Sequence, residues 1–139
     1  VFLLQQEKPM KNASKLVIEA LEKVVCTSVH DENPIARYFD SSYQQVVDGH
    51  ELGYNDFIKH METLKSLAAR INLTVRSVVS EGDTVFTHHF VEVEKLEGEK
   101  SEFEVLARFT VLSGKIIRCE ELTRMITGGI NDRDFGSKR

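Results

Sequence analysis

Three alternating stretches between residues 83 and 124, joined by two tight turns, constrain this chain more than any other feature. Residues 84–96 alternate, and Glu97-Gly98 turns the chain. Residues 101–112 alternate next, and Ser113-Gly114 leads into a third stretch, 115–125. Period-two alternation puts successive side chains on opposite faces of a sheet, and glycine supplies the positive φ that short hairpin loops need. The rest of the chain has to cover this meander.

The pairing can be read from the turns. A two-residue loop at Ser113-Gly114 pairs Leu112 with Lys115, which sets Arg108 opposite Cys119 and Leu106 opposite Glu121. An apex at Glu97-Gly98 or Gly98-Glu99 sets a residue near His88 or His89 beside Arg108, and the second choice gives His89. His89, Arg108 and Cys119 then form one row, with Val91, Leu106, Glu121 and Thr123 on the same face. The opposite face receives Phe86, His88, Phe90, Phe103, Val105, Ala107, Phe109, Val111, Ile116 and Leu122. A slip of one residue replaces the whole set. A sheet apolar on both faces needs cover on both. Helices serve one face, so a second subunit is expected on the phenylalanine-rich outer face.

The 139 residues fit one domain, with 41% hydrophobic and 29% charged residues as in ordinary globular chains. A net charge of −4 gives no clustered positive field for nucleic acid. No apolar run approaches the roughly 20 residues of a membrane span, so no membrane partner is expected. Cys26 and Cys119 are too few for a disulfide framework and read as buried apolar residues, which suits a cytoplasmic setting.

Residues 1–10 read as a disordered or vector-derived leader, 11–128 as a single domain and 129–139 as a polar, frayed tail. Leu16, Val17, Ala20, Leu21, Val24 and Val25 recur at helical spacing. Asn33-Pro34 opens a short second helix, with Asn33 as the cap. Residues 43–47 are extended, and Asp48-Gly49 is a turn. A third helix runs over 54–69, with Phe57, Met61, Leu64 and Ala68 inward and His60 at the border of the stripe. Residues 71–80 alternate as a further strand. Helices followed by strands give an α+β fold: a cone-shaped, curved antiparallel sheet wrapped around three N-terminal helices, enclosing a cavity.

This order resembles the nuclear transport factor two-like superfamily, whose folds are also grouped as cystatin-like, and in particular its SnoaL-like branch of polyketide-cyclase and ketosteroid-isomerase relatives. The resemblance is carried by Tyr38-Phe39-Asp40-Ser41-Ser42-Tyr43-Gln44-Gln45-Val46-Val47-Asp48-Gly49, by the helix from Phe57 to Leu64, and by Gly114-Lys115-Ile116. It implies a cone dimerised through the outer face of its sheet. It also implies a His or Asp late in the short first strand, where this chain has Val46. By the same resemblance, Arg108 sits near the group that meets a substrate oxyanion. Cys119, Glu121, Thr123 and His89 match positions lining the cavity.

His89, Arg108 and Glu121 are therefore the candidate catalytic set: His89 or Glu121 moves a proton beside a carbonyl, and Arg108 holds the oxyanion. The same three residues also suit a purely structural ion pair with a hydrogen-bonded histidine. The candidate ligand pocket is Tyr38, Gln44, Val46, Phe57, Met61, Val91, Leu106, Cys119 and Thr123. The expected ligand is a small apolar or carbonyl-containing molecule. No cofactor is expected, and no metal, because His88 and His89 point to opposite faces and His30, His50 and His60 lack ligand spacing. A non-catalytic binding protein, or a plain dimerisation module, remains the alternative to a cofactor-independent isomerase, cyclase or aldol-type enzyme.

Overall fold

The computed structural model describes residues 11–133 with Phe135 and Gly136; the expected leader and the last three residues of the tail lie outside them. Helix α1 spans Asn12–Ala20 and runs on through a π turn, Leu21–Val25. Helix α2 spans Glu32–Tyr38 and α3 spans Tyr54–Leu67. The strands are β1 Phe39–Val47, β2 His50–Gly53, β3 Ala68–Glu81, β4 Thr84–Lys95, β5 Lys100–Leu112 and β6 Lys115–Thr127. The α+β reading holds, with all three helices on one face of a curved, unclosed sheet. Among the described residues no helix is long and apolar enough to cross a membrane.

The six strands lie in the order β2-β1-β6-β5-β4-β3. All neighbours are antiparallel except β1 and β6, so the sheet is mixed rather than purely antiparallel. The cap of α2 is Asp31, whose carboxylate accepts from the Asn33 amide at 2.9 Å, so the helix starts before the expected Asn33.

Two departures from simple turns set the faces. Leu112 does pair with Lys115, but Val111 pairs with Ile116 and Thr110 with Arg118, leaving one extra residue in β6. That bulge moves Arg108 opposite Glu120 and puts Cys119 opposite Phe109. At the other end the loop has three residues, Leu96-Glu97-Gly98, closed by Lys95 N–H to Glu99 O at 2.8 Å with Gly98 at φ +96°. Phe86, not His89, therefore stands opposite Arg108.

The expected Phe-rich outer face is corrected accordingly. Phe103, Val105, Ala107, Phe109, Val111 and Ile116 are buried in the core beneath the protein's own helices. Phe86, His88, Phe90 and Leu122 remain outside, joined there by Leu106 and Arg108. Tyr43 packs edge to face with Phe39 and Phe57, and those two rings pack tilted on each other, at centroid distances of 4.7 to 5.0 Å that tie β1 to α3. Within the expected frayed tail, Asp132 and Phe135 are buried.

Candidate functional site

Alternation along β1, β4 and β6 aims Gln45, His89, Glu121 and Thr123 between sheet and helices. They border an inner cavity of about 100 Å³, whose apolar walls include Phe57 and Met61 of α3 and Val91 of β4. Of the expected site residues, His89, Glu121, Phe57, Met61, Val91 and Thr123 meet there. Cys119 lies fully buried beside it.

Arg108, Leu106 and Val46 do not. They border a broader groove of about 630 Å³ on the outer face of the sheet. Arg108 stands 3.6 Å from Glu120 and is half exposed, on the far side of the sheet from His89. Gln44 also faces out, where Arg118 donates to it at 3.3 Å. Tyr38 is buried at the end of α2, its hydroxyl 3.5 Å from Glu19 and away from the cavity wall. The residues of β1 that meet the cavity are Phe39, Tyr43 and Gln45, the last of them next to the expected Val46.

Each polar group inside is held. The Tyr43 hydroxyl donates to Gln45 Oε1 at 2.6 Å. Cys119 Sγ donates to Glu121 Oε2 at 3.3 Å. Thr87 Oγ1 lies 2.9 Å from His89 Nδ1. Asp48 accepts from the backbone N–H and the hydroxyl of Thr123, which fixes the end of β1 against β6. His60, expected at a border, is buried and borders the cavity.

Burial decides the protonation states. Loss of water drives the Glu121 carboxyl up to about 7; the thiol bond pulls it down and the Asp48 charge pushes it further up. Burial drives the His89 imidazole down to about 4, and the charge of neighbouring His88 adds to this. Burial also raises the Tyr43 hydroxyl and the Cys119 thiol far above their ordinary values, so both stay protonated. The site thus holds one carboxyl that changes state near neutral pH and one neutral imidazole. The Thr87 hydroxyl can donate to Nδ1 or accept from it, and in the tautomer where it donates the imidazole carries its proton on Nε2.

No family model matches the chain. It is 31% identical over 128 residues to an uncharacterized protein of Schizosaccharomyces pombe, covering 92% of this chain and 98% of that one. The chain belongs to that protein's family, and its fold is SnoaL-like. AclR from Streptomyces galilaeus, classed as a hydroxylase, superposes with a TM-score of 0.71 at 16% identity, covering 94% of this chain and 89% of its own. A protein of Jannaschia sp. CCS1 classed as a SnoaL-like polyketide cyclase gives 0.64 at 14% identity, over 84% of this chain and 90% of its own. The SnoaL-like, nuclear transport factor two-like fold accounts for the cone and for the position of its cavity between sheet and α3.

Gln45, His60 and Phe135 were not singled out as pocket residues from sequence. The signal for Gln45 was present: Tyr43, Gln45 and Val47 share one parity, and only the choice of inward parity was missing. Phe135 sits in a polar run that carries no periodic signal.

Proposed function

We propose that the inner cavity takes a small, mostly apolar molecule bearing a carbonyl, and that Glu121 exchanges a proton with the carbon beside it, with no cofactor. As the carboxylate, Glu121 removes that proton. The C–H electron pair becomes the enolate double bond, and the negative charge moves to the oxygen. His89, donating through Nε2–H, stabilises that oxygen, a task first expected of Arg108. Return of the proton to another carbon completes an isomerisation; attack of the enolate carbon on a second carbonyl, whose π pair moves to its oxygen and takes the proton back from Glu121, completes a cyclisation. The observation that carries this reading is the convergence of a carboxyl poised near neutrality and a neutral imidazole on one apolar cavity. Neighbours classed as a cyclase and a hydroxylase are consistent with small-molecule chemistry on this fold.

The test is exchange of ketone α-protons. A panel of cyclic ketones is incubated with the protein in D2O and followed by NMR. Deuterium uptake faster than in buffer is expected, and its loss in Glu121→Gln. Uptake no faster than in buffer for every ketone sinks the catalytic reading. Binding without chemistry is the second reading, favoured because β1 presents the amide of Gln45, which neither takes up nor releases a proton near neutral pH. A rise in melting temperature with a ketone that shows no exchange supports it.

The outer face suits a homodimer. Val79, Phe86, Leu106 and Leu122 are exposed together around the outer groove, and a cluster of this kind is usually covered. A cytoplasmic setting fits two cysteines that are both unpaired.

A further inference from the structure

An inner cavity of about 100 Å³ is too small for the ligand proposed above. It has room for roughly three waters, whereas pockets for organic ligands run from about 300 Å³ upward. What narrows it at one end comes from outside the cone. Phe135 and Gly136 form part of its wall. The Phe135 ring packs on Phe103 of β5 at 5.8 Å between centroids and is buried. Gly136 lies so close to β1 that a Cβ there would come within 2.8 Å of Val47 Cγ1.

The ring is held by a polar latch. Asp132, buried, takes a hydrogen bond from Ser101 Oγ at 2.6 Å and an ion pair from Lys95 Nζ at 2.9 Å. The backbone N–H of Phe135 donates to Asp132 O at 3.1 Å, which couples the ring to the latch. Lys95 Nζ also lies over the Phe135 ring, 5.9 Å from its centroid. The polar contacts sit at the ends of β4 and β5, where the Phe135 ring joins the hydrophobic core beside Phe103.

We propose that Phe135 occupies the outer part of the ligand site, so that a ligand binds only by displacing its ring, at a cost set by the Asp132 latch. This rests on the reading of the inner cavity as a ligand site. It narrows the ligand class: one end carries an aromatic or alicyclic ring that stacks on Phe103 in place of Phe135, and the carbonyl end reaches Glu121 and His89. Phe135 and Asp132 select and admit the ligand; neither takes part in proton transfer.

The probe is N-phenyl-1-naphthylamine, an uncharged aromatic dye that brightens on leaving water, followed by stopped flow with the full chain. For the unaltered protein the observed association rate is expected to level off with dye concentration, because ring displacement comes first. Phe135→Ala should remove the plateau and tighten binding roughly tenfold, since the competent state is no longer a minor one. Asp132→Asn keeps the ring and weakens the latch, and should raise the plateau severalfold; it carries the test if Phe135→Ala does not fold. The dye has no carbonyl and undergoes no proton exchange, so its kinetics report ring displacement alone, and a failure of catalysis is told apart from a failure of this proposal; Arg108→Ala, on the outer face, should leave the dye kinetics unchanged. Wild-type plateau and affinity in both Phe135→Ala and Asp132→Asn overturn it. So does absence of dye binding in every variant, or loss of the dye signal in Leu122→Glu, which would assign the dye to the outer face.

Discussion

Cys119 donates its thiol proton to the carboxyl of Glu121, 3.3 Å away and two residues along the same strand. Both side chains point inward because β6 alternates past its bulge. The contact favours the ionised carboxylate and opposes the larger effect of burial, which pushes Glu121 up to about 7. Cys119→Ala removes the donor without adding a charge. The Glu121 midpoint should then rise above 7, and any base-dependent proton exchange should need higher pH. Carbon-13 titration of the Glu121 carboxyl checks this, and an unchanged or lower midpoint would falsify the assignment of the thiol as donor.

Glu121 and His89 should leave opposite marks on stability against pH. The folded value of Glu121 is about 7, above its ordinary 4.5, so its contribution is full below 4.5 and lost as pH rises through 7. The folded value of His89 is about 4, below its ordinary 6.5, so its contribution is full above 6.5 and lost as pH falls through 4. Each spans about 3 kcal/mol between its limits. The two slopes nearly cancel in the intact protein between pH 4.5 and 6.5. Urea unfolding at pH 4.5 and pH 8 should show Glu121→Gln gaining about 3 kcal/mol on the unaltered protein at the higher pH. A stability difference that does not change with pH sinks this account.

Arg108→Ala should be nearly silent inside the cavity. Its guanidinium is half exposed and pairs with Glu120 at 3.6 Å on the outer face. Such pairs are worth about 0–1 kcal/mol. Proton exchange by the inner site should stay within about twofold of the unaltered protein, since electrostatic influence on the cavity is screened and indirect. A loss of exchange of a hundredfold or more, with the melting temperature unchanged, would return Arg108 to the catalytic set.

How far the sequence could be read depends on where local rules suffice. Alternation found β3 to β6, and apolar spacing found α1 and α3, because one buried face imposes each pattern locally. The inward side of β4 and β6 was also legible, which brought His89, Glu121 and Thr123 to one cavity. The side of β5 was not. It depends on one extra residue in β6 near Ile116 and on a three-residue loop at Gly98, and alternation carries no trace of either. That single uncertainty moved Arg108 out and Val105 in. The parallel pairing of β1 with β6 and the burial of Phe135 are contacts between distant parts of the chain, and no neighbouring residue announces them.

The remaining prediction concerns the outer face. Leu122 is 67% exposed and Phe86 51%, on strands whose inner residues are buried. Leaving such side chains in water forgoes roughly 1.5–3 kcal/mol each, which a second copy of the chain would recover by covering them. The ion pairs of Arg108 and Arg118 with Glu120 flank the same groove and suit the polar rim of an interface. Leu122→Glu puts a carboxylate where a two-fold contact would bring it near its own copy, and like charges at such a distance repel strongly once water is excluded. Sedimentation equilibrium should give a dimer for the unaltered protein and a monomer for Leu122→Glu, with far-ultraviolet circular dichroism unchanged. A monomer for both would leave the outer face uncovered and remove the case for self-association.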